Sequence, residues 1–393
     1  MKFIPEELKE EIALRMNRLR PIMKEAGLDA MLIAGNTNLF YLSGRMYRGY
    51  VYLSVEGDPV YFIIRPQIYD REDNIICIRK PEQIVSEMES RGMALPAVLG
   101  LEYSVLTYAD VMRLRKAFAG VATENCAPVM VKARMVKTPY EVKQMREDGM
   151  HQAAVYHRVP SCFSPDMTDV EFQVEIERLL RREGCLGYVR TSGNLMEINL
   201  GSVIAGDNAD APGPYDFSMG GAGTDPSLPV GASGEILRPG MTVMVDMNGC
   251  FNGYQSDMTR VWRIGEIAPL ALKAHECSRR ILRELEEMGR PGVKCSELYE
   301  RALAIVEEEG LSHYFMGHTQ KAAFIGHGVG IELNEAPVIM ARDHTPLAEN
   351  MTIALEPKFV IPGTGAVGDE NTYVVTPEGL RTLTEFPMEL QEL

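Results

Sequence analysis

The sequence lacks long apolar runs and paired-cysteine motifs. No apolar stretch reaches the roughly 18 residues that a membrane-spanning helix requires. The seven cysteines are odd in number and scattered, and none belongs to a CxxC pair, so we expect reduced thiols and not a disulfide framework. The first residues are rich in Glu and Lys and form no apolar signal segment, which favours a cytoplasmic protein.

Basic residues are also scarce relative to acidic ones. There are 40 Lys and Arg against 55 Asp and Glu, which gives a formal net charge of -15. A field of this sign repels nucleic acid and anionic membranes, and no Lys/Arg run overrides it, so we expect neither as a partner. Apolar residues make up 46% of the 393 positions, as in ordinary globular proteins, and the length favours two domains.

The N-terminal part of the chain predicts a small α/β domain over residues 1–135. Apolar residues recur at helical spacing over residues 6–27, and a buried strand follows at residues 30–34. Residues 50–55 and 60–64 flank a Glu-Gly-Asp-Pro turn, which predicts a β-hairpin. Two further helix–strand alternations complete the domain.

The second predicted domain, residues 136–393, begins with a capping box and contains an internal repeat. Thr138 and Glu141 have the spacing of a capping box, which predicts the start of a long helix. Residues 165–184 match residues 291–310, with a proline at the start and a glycine at the end of both segments. This similarity predicts a duplicated fold.

The repeat relates two pairs of acidic residues. The segment LRPGMTVMVD, which ends at Asp246, matches LAENMTIALE, which ends at Glu356. Asp257 matches Glu370 in the strands that follow. Each half then consists of two helices and a strand pair, related by a pseudo-two-fold axis. Four carboxylates that converge on such an axis cannot all be ionised unless cations lie between them.

A histidine completes a predicted metal centre. His327 lies between glycines in Gly-His-Gly-Val-Gly, where the backbone can approach closely. Single aspartates in turns and single loop histidines are ordinary features, but the repeat-related combination predicts a ligand set of Asp246, Asp257, His327, Glu356 and Glu370. Four carboxylates and one imidazole nearly balance two divalent ions. Oxygen-rich ligation favours Mn²⁺, Co²⁺ or Fe²⁺, with Zn²⁺ as the alternative, and two such ions can activate water for hydrolysis.

Several segments resemble the creatinase/prolidase/methionine-aminopeptidase family over nearly the full length of the chain. They are residues 27–33, 36–44, 137–141, 254–260, 326–330 and 356–357. The first three are similar to the N-terminal domain and linker of Xaa-Pro peptidases. The resemblance implies an α/β (α+β) fold, in which a small creatinase-like domain precedes a pseudo-two-fold pita-bread catalytic domain. It also implies a homodimer.

The same resemblance implies a role for each metal ligand. Asp246 would chelate one ion, Asp257 and Glu370 would bridge both ions, and His327 and Glu356 would bind the second. Glu356 would also take the proton from the nucleophilic water. The implied reaction is attack of a metal-activated water on an amide next to proline, in a dipeptide or at the amino end of a longer peptide.

Three positions depart from the family pattern. Asn334 stands where a second histidine is usual, Val230 replaces the histidine of a Pro-His-Gly segment, and Gly368 stands where these peptidases often have arginine. Those histidines are associated with binding the scissile peptide and stabilising its tetrahedral intermediate. Because an asparagine can still donate a hydrogen bond, we expect Asn334 to act in catalysis and substrate binding. His318 is a second substrate-binding candidate, with a surface-loop role as the alternative.

These departures leave two other functions open. The same scaffold could hydrolyse a non-peptide C–N bond of a small metabolite, as creatinase-like enzymes do. A non-catalytic binding protein is the third hypothesis, although such relatives generally lose metal ligands and this sequence keeps all five. The loop at residues 206–234, rich in Gly, Pro and Asp, is either a flexible substrate cover or a plain connector.

Overall fold

The chain is described by a computed structural model that covers residues 1–70, 72–193 and 196–393. It forms two compact units, Met1–Arg134 and Met135–Leu393. All seven cysteines are unpaired, as the sequence predicted. Among the described residues, none of the helices combines the length and the apolar character that crossing a bilayer demands.

The N-terminal unit is built around one mixed sheet. Its strands are β1 (Ala30–Ile33), β2 (Arg48–Ser54), β3 (Val60–Arg65), β4 (Ile75–Cys77), β5 (Val98–Leu101) and β6 (Ala122–Asn125). Its helices are α1 (Lys9–Glu25), α2 (Asn36–Ser43), α3 (Gln83–Ser90), α4 (Tyr108–Ala117) and α5 (Ala127–Met135). The strand order is β4-β3-β2-β1-β5-β6, and the predicted hairpin is the antiparallel pair β2–β3.

Apolar side chains from the sheet and two helices form the core of this unit. Leu32, Phe62 and Leu99 project from three strands and are fully buried against Met88 of α3 and Leu114 of α4. Burying side chains of this size contributes about 1.5–3 kcal/mol each relative to exposure. The first helix ends just before Gly27, whose φ of +70° lies in the left-handed region that favours glycine.

The C-terminal unit contains two larger sheets and four long helices. The helices are α6 (Pro139–Tyr156), α7 (Asp169–Glu183), α8 (Pro269–Met288) and α9 (Cys295–Glu308). The strands are β7 (Gly201–Ala205), β8 (Thr242–Gly249), β9 (Ser256–Arg263), β10 (Phe324–Gly328), β11 (Glu335–Met340), β12 (Thr352–Leu355), β13 (Phe359–Ile361), β14 (Gly365–Val367), β15 (Asn371–Thr376), β16 (Gly379–Thr382) and β17 (Gln391–Glu392).

The two sheets of this unit together position the acidic residues. One sheet has the order β17-β9-β8-β7, the other has the order β11-β10-β12-β15-β16, and β13 pairs with β14 separately. Tyr156 of α6 and Phe172 of α7 pack against Trp262 of the first sheet. The helices α8 and α9 contribute Ile281 and Ile305 to a second core that includes strands of both sheets.

Local structure follows the predicted repeat. The helices α7 and α9 begin alike, because Glu171 accepts a hydrogen bond from the Thr168 N–H at 2.8 Å and Glu297 accepts one from the Lys294 N–H at 3.0 Å. The matched turns before β8 and β12 also agree: Gly240 has φ +96° and Asn350 has φ +66°. The two halves therefore begin matched helices with the same type of hydrogen bond and enter matched strands through the same type of left-handed turn.

Candidate metal centre

The hairpin β8–β9 places two predicted ligands on one face of its sheet. Asp257 lies opposite Asn248 in the ladder, and Asp246 is two residues from Asn248 on the same strand. Since residues two apart in a strand point to the same face, both carboxylates project together. Asp257 is buried, whereas the Asp246 side chain keeps 20% of its surface exposed.

The second half contributes the other three predicted ligands. His327 lies on β10, Glu356 directly follows β12, and Glu370 directly precedes β15. The Glu370 N–H donates to the Thr259 carbonyl of β9 at 3.1 Å, and the Thr259 hydroxyl donates to Glu370 Oε2 at 2.7 Å. These two bonds fix the second half against the first, so the acid pairs of the repeat meet at one point.

The part of this cluster around His327, Asp257 and Glu370, here called the histidine end, has the donor set and spacing of a divalent-ion site. His327 Nε2 lies 3.6 Å from Asp257 Oδ2 and 3.7 Å from Glu356 Oε1. One ligand atom each from Asp257, His327 and Glu370 lie within 4.8 Å of one another. His327 Nδ1 lies 3.1 Å from the Gly328 carbonyl, so a proton on Nδ1 leaves the Nε2 lone pair free for a metal.

An unpartnered carboxylate oxygen in this cluster also fits a bound cation. Glu370 Oε1 is buried and has no hydrogen-bond partner among the described residues. Leaving a buried carboxylate oxygen unpaired costs free energy, and a bound divalent ion would remove that cost. The residues around His327 therefore fit one divalent ion.

The other end of the cluster already contains a cation that the sequence analysis missed. Lys358 is fully buried, and its Nζ lies 2.9 Å from Asp246 Oδ2, 2.9 Å from Glu356 Oε2 and 3.0 Å from Glu370 Oε2. Its Nζ also donates to Ser218 Oγ at 3.1 Å. Burial alone favours the neutral amine, but the three carboxylates raise the pKa of Lys358 well above its usual range. Lys358 is therefore charged.

Burial and mutual repulsion act unequally on the acids. Burial, reinforced by the charge of Glu370, raises the pKa of Asp257 well above its usual range. Burial raises the pKa of Glu370 to about 8, although Lys358 opposes the shift. Burial also acts to raise the pKa of Glu356, but the charges of Lys358 and His327, together with hydrogen bonds from Ser218 and Lys358, outweigh it and the pKa falls. Asp257 and Glu370 thus favour protonation or a metal ion, whereas Glu356 favours the ionised form.

The cluster lies at the inner end of a cavity of about 460 Å³. Ligand pockets commonly range from about 300 to 1,000 Å³, so the cavity can take a small peptide or metabolite. All five predicted metal ligands line it. The loop predicted at residues 206–234 contributes Tyr215, Phe217 and Val230 to the lining, and the exposed Arg342 also lines the cavity.

The other predicted site residues occupy less direct positions. Asn334 lines the cavity, but its Oδ1 accepts from the Ser192 N–H at 2.7 Å and its Nδ2 donates to the Ser192 carbonyl at 3.2 Å. His318 Nδ1 lies 3.1 Å from Asp210 Oδ2, and His318 is not among the described residues that line the cavity. The roles predicted for Asn334 and His318 in catalysis and substrate binding stay predictions.

Comparisons with known proteins identify the family. The profile of Metallopeptidase family M24 matches residues 143–377, and that of the Creatinase/Prolidase N-terminal domain matches residues 15–136. The chain belongs to metallopeptidase family M24. It is therefore an enzyme of the peptidase class, and membership implies a divalent metal cofactor. This assignment sets aside the hypothesis of a purely binding protein.

Curated relatives extend over most of the chain. The Xaa-Pro dipeptidase of Pyrococcus furiosus is 26% identical over 382 residues, which cover 96% of this chain and 99% of the relative. The probable dipeptidase PepE of Mycobacterium tuberculosis is 29% identical over 272 residues, which cover 69% of this chain and 64% of the relative. Both relatives are named as dipeptidases, the second as a probable one.

Solved structures confirm the predicted fold. The Xaa-Pro dipeptidase from Bacillus anthracis superposes with a TM-score of 0.80 at 22% identity, covering 97% of this chain and 100% of that chain. The X-Pro aminopeptidase from Thermotoga maritima gives a TM-score of 0.78 at 19% identity, covering 95% and 100%. The creatinase-like domain followed by a pita-bread domain is thus the architecture of this M24 member.

Proposed function

We propose that this M24 enzyme is a metal-dependent peptidase that hydrolyses the amide before proline in Xaa-Pro dipeptides. The observation that carries the proposal is the convergence of His327 Nε2 with Asp257 Oδ2 and Glu356 Oε1 at the inner end of a peptide-sized cavity. The relatives named as Xaa-Pro dipeptidases support the choice of substrate.

Four residues would hold the metal ion and handle the water. Asp257, His327 and Glu370 would bind the ion, with Glu356 beside them. A bound divalent ion supplies Lewis-acid polarisation of the substrate carbonyl and the attacking water. Glu356 would accept the proton from that water, since its contact with Lys358 at 2.9 Å keeps the carboxylate ionised.

The cavity rim would bind the ends of the peptide. Arg342 is exposed, lines the cavity and can pair with the C-terminal carboxylate of a dipeptide. Asn334 lines the cavity and would support the substrate from a fixed position, because its amide is held by two hydrogen bonds to the backbone of Ser192. A carboxylate contact at the rim favours dipeptides over longer peptides.

The metal identity and the assembly state complete the proposal. The oxygen-rich donor set with one imidazole supports Mn²⁺, Co²⁺ or Fe²⁺, with Zn²⁺ as the alternative. The two-ion centre predicted from the sequence is supported only at the histidine end, because Lys358 lies among the acids at the other end. We also propose a cytoplasmic homodimer, by resemblance to Xaa-Pro peptidases. Light scattering after size-exclusion chromatography measures the mass directly.

A direct activity assay tests the proposed reaction. Purified protein is stripped of metal, reloaded with Mn²⁺, Co²⁺ or Fe²⁺, and given a series of Xaa-Pro dipeptides and matched Xaa-Ala dipeptides. We expect release of proline only with metal, and a large loss in the His327→Ala variant. Absence of cleavage by the metal-replete protein would reject the peptidase reaction.

A second candidate function has its own structural support. Val230 and Asn334 stand where peptidases of this group usually have histidines, and the Asn334 amide is already engaged by Ser192. Loss of such donors weakens stabilisation of a tetrahedral peptide intermediate by several kcal/mol. The same centre could therefore hydrolyse a non-peptide C–N bond of a small metabolite. A thermal-shift screen of metabolites and dipeptides separates the two candidates by which class stabilises the metal-loaded protein.

A further inference from the structure

Lys358 is held in place by its backbone as well as by its side chain. It lies directly before β13, its N–H donates to Met316 Sδ at 3.4 Å, and its carbonyl accepts from the Met316 N–H at 2.9 Å. Phe359, the next residue, pairs with Val367 in the β13–β14 ladder. The side chain therefore starts from a fixed point in the core and can reach no solvent, since Lys358 is fully buried.

A glycine just after the neighbouring strand β14 leaves space for this lysine. Gly368 lies across from Lys358, one position beyond the pair Phe359–Val367. A Cβ added to Gly368 would come within 2.9 Å of the Lys358 Cα and 2.5 Å of the Pro357 carbonyl oxygen. The φ of Gly368 is +127°, a conformation that residues with a side chain rarely adopt. The sequence thus provides both the cation and the space for the strand that carries it.

The ammonium occupies the space that a metal ion would need at this end of the cluster. Divalent ions bind carboxylate oxygens at about 2.0–2.2 Å. The first predicted ion, which Asp246 and Glu370 would share, would therefore lie in the space where Lys358 Nζ now contacts these two carboxylates at 2.9 and 3.0 Å. Two cations cannot share that space without strong repulsion. The histidine end, by contrast, retains an unpartnered Glu370 Oε1.

Formal charges are compatible with one ion beside the lysine. The four carboxylates carry about four negative charges and Lys358 carries one positive charge. One divalent ion brings the cluster close to neutrality with a small negative excess, which suits a site that binds a cation. A second divalent ion would make the cluster positive while still competing with the ammonium for the same oxygens.

We propose that Lys358 is a built-in cation that replaces one of two divalent ions, so that the enzyme binds a single ion at Asp257, His327 and Glu370. Asp246 then serves as a partner of the lysine and not as a metal ligand. The inference concerns metal content and can be tested without any substrate. Its failure is therefore distinguishable from failure of the proposed peptidase activity.

Metal counting tests this proposal. The purified enzyme is loaded with Mn²⁺, freed of excess metal, and measured by atomic emission together with protein concentration. We expect one Mn²⁺ per chain for the wild type and two for Lys358→Met, which removes the charge while keeping a long side chain. The His327→Ala variant should lose its ion, whereas the double variant of His327→Ala and Lys358→Met should retain one. Two ions in the wild type would overturn the proposal.

A second comparison keeps the proposal testable if the lysine variant does not fold. Under the one-ion arrangement, Asp246→Asn leaves the Mn²⁺ affinity within about threefold of wild type, whereas Asp257→Asn lowers it by about 100-fold or more. Isothermal titration with Mn²⁺ alone measures both values. An equal loss of affinity in the two variants, or a stoichiometry that falls from two to one in Asp246→Asn, would contradict it.

Discussion

Gly368 lies across the β13–β14 ladder from Lys358, and a Cβ at position 368 would meet the Lys358 Cα at 2.9 Å. This relationship links two features that look independent in the sequence. One is a glycine where related peptidases often have an arginine, and the other is a lysine two residues after a predicted metal ligand. Their proximity indicates that the strand bearing the built-in cation requires the glycine beside it.

Replacing this glycine should destabilise the enzyme and disturb the centre. In Gly368→Ala, the methyl group would contact the Pro357 carbonyl and the Lys358 backbone, and a positive φ of +127° would be forced on an alanine. We expect a loss of at least about 2 kcal/mol in the free energy of unfolding. Gly363→Ala is the matched control: its φ is +77°, but nothing lies within 4 Å of the added Cβ. Denaturant titration measures both, and equal losses would show that the close contact is unimportant.

Metal binding should depend on His327 and not on His318, which precedes it by nine residues in the sequence. His327 Nε2 faces Asp257 and Glu356, whereas His318 pairs with Asp210 and is not among the described residues that line the cavity. We expect His327→Ala to lower Mn²⁺ affinity by about 100-fold or more and His318→Ala to leave it within about threefold. Titration calorimetry with Mn²⁺ provides the measurement. A comparable loss in His318→Ala would show that this residue swings into the site.

The sequence predicted much of the framework because its signals are local. The capping box of Thr138 and Glu141 and the β2–β3 hairpin depend on a few neighbouring residues, and the structure confirms both. The internal repeat also made one long-range relationship predictable. It related Asp246 to Glu356, and both line the same cavity.

Lys358 could not be placed by the same reasoning. Its importance depends on three acids from distant segments and on the space left by Gly368, none of which a local pattern encodes. One signal was available: a lysine between Glu356-Pro357 and the apolar run Phe-Val-Ile is unusual, because buried lysines are rare unless paired. The contact of Asn334 with Ser192 was equally hidden, because the two residues are 142 positions apart in the sequence.

Substrate length should depend on Arg342 if it pairs with a dipeptide carboxylate. The Arg342→Gln variant keeps a polar side chain but loses the charge. We expect KM for Xaa-Pro dipeptides to rise about tenfold with little change in kcat, since the contact is the same in ground and transition states. Dipeptides with a C-terminal amide are the control, because they offer no carboxylate. A similar rise in KM for the amides, or none for the acids, would show that Arg342 does not select the C-terminus.

Asp148 should give the stability of the enzyme a distinct pH dependence. Its carboxylate accepts hydrogen bonds from the Phe251 N–H at 2.5 Å and the Ser256 hydroxyl at 2.7 Å, and it lies close to the strand that carries Asp257. Burial nevertheless outweighs these bonds and raises the pKa of Asp148 to about 6. The folded protein therefore holds a proton that the unfolded chain, with an ordinary pKa near 3.8, releases.

The sign of the effect follows from this difference in proton binding. The contribution of Asp148 to stability is fully present below pH 3.8 and is lost as the pH rises through about 6. The shift corresponds to about 3 kcal/mol. Because other carboxylates titrate in the same range, the informative quantity is the difference between wild type and Asp148→Asn, whose amide keeps an acceptor for Phe251. We expect the wild type to lose about 2 kcal/mol relative to the variant between pH 4 and pH 7, because part of the full effect is already lost by pH 4; denaturant unfolding measures it. A difference that is constant over this range would show that Asp148 titrates normally.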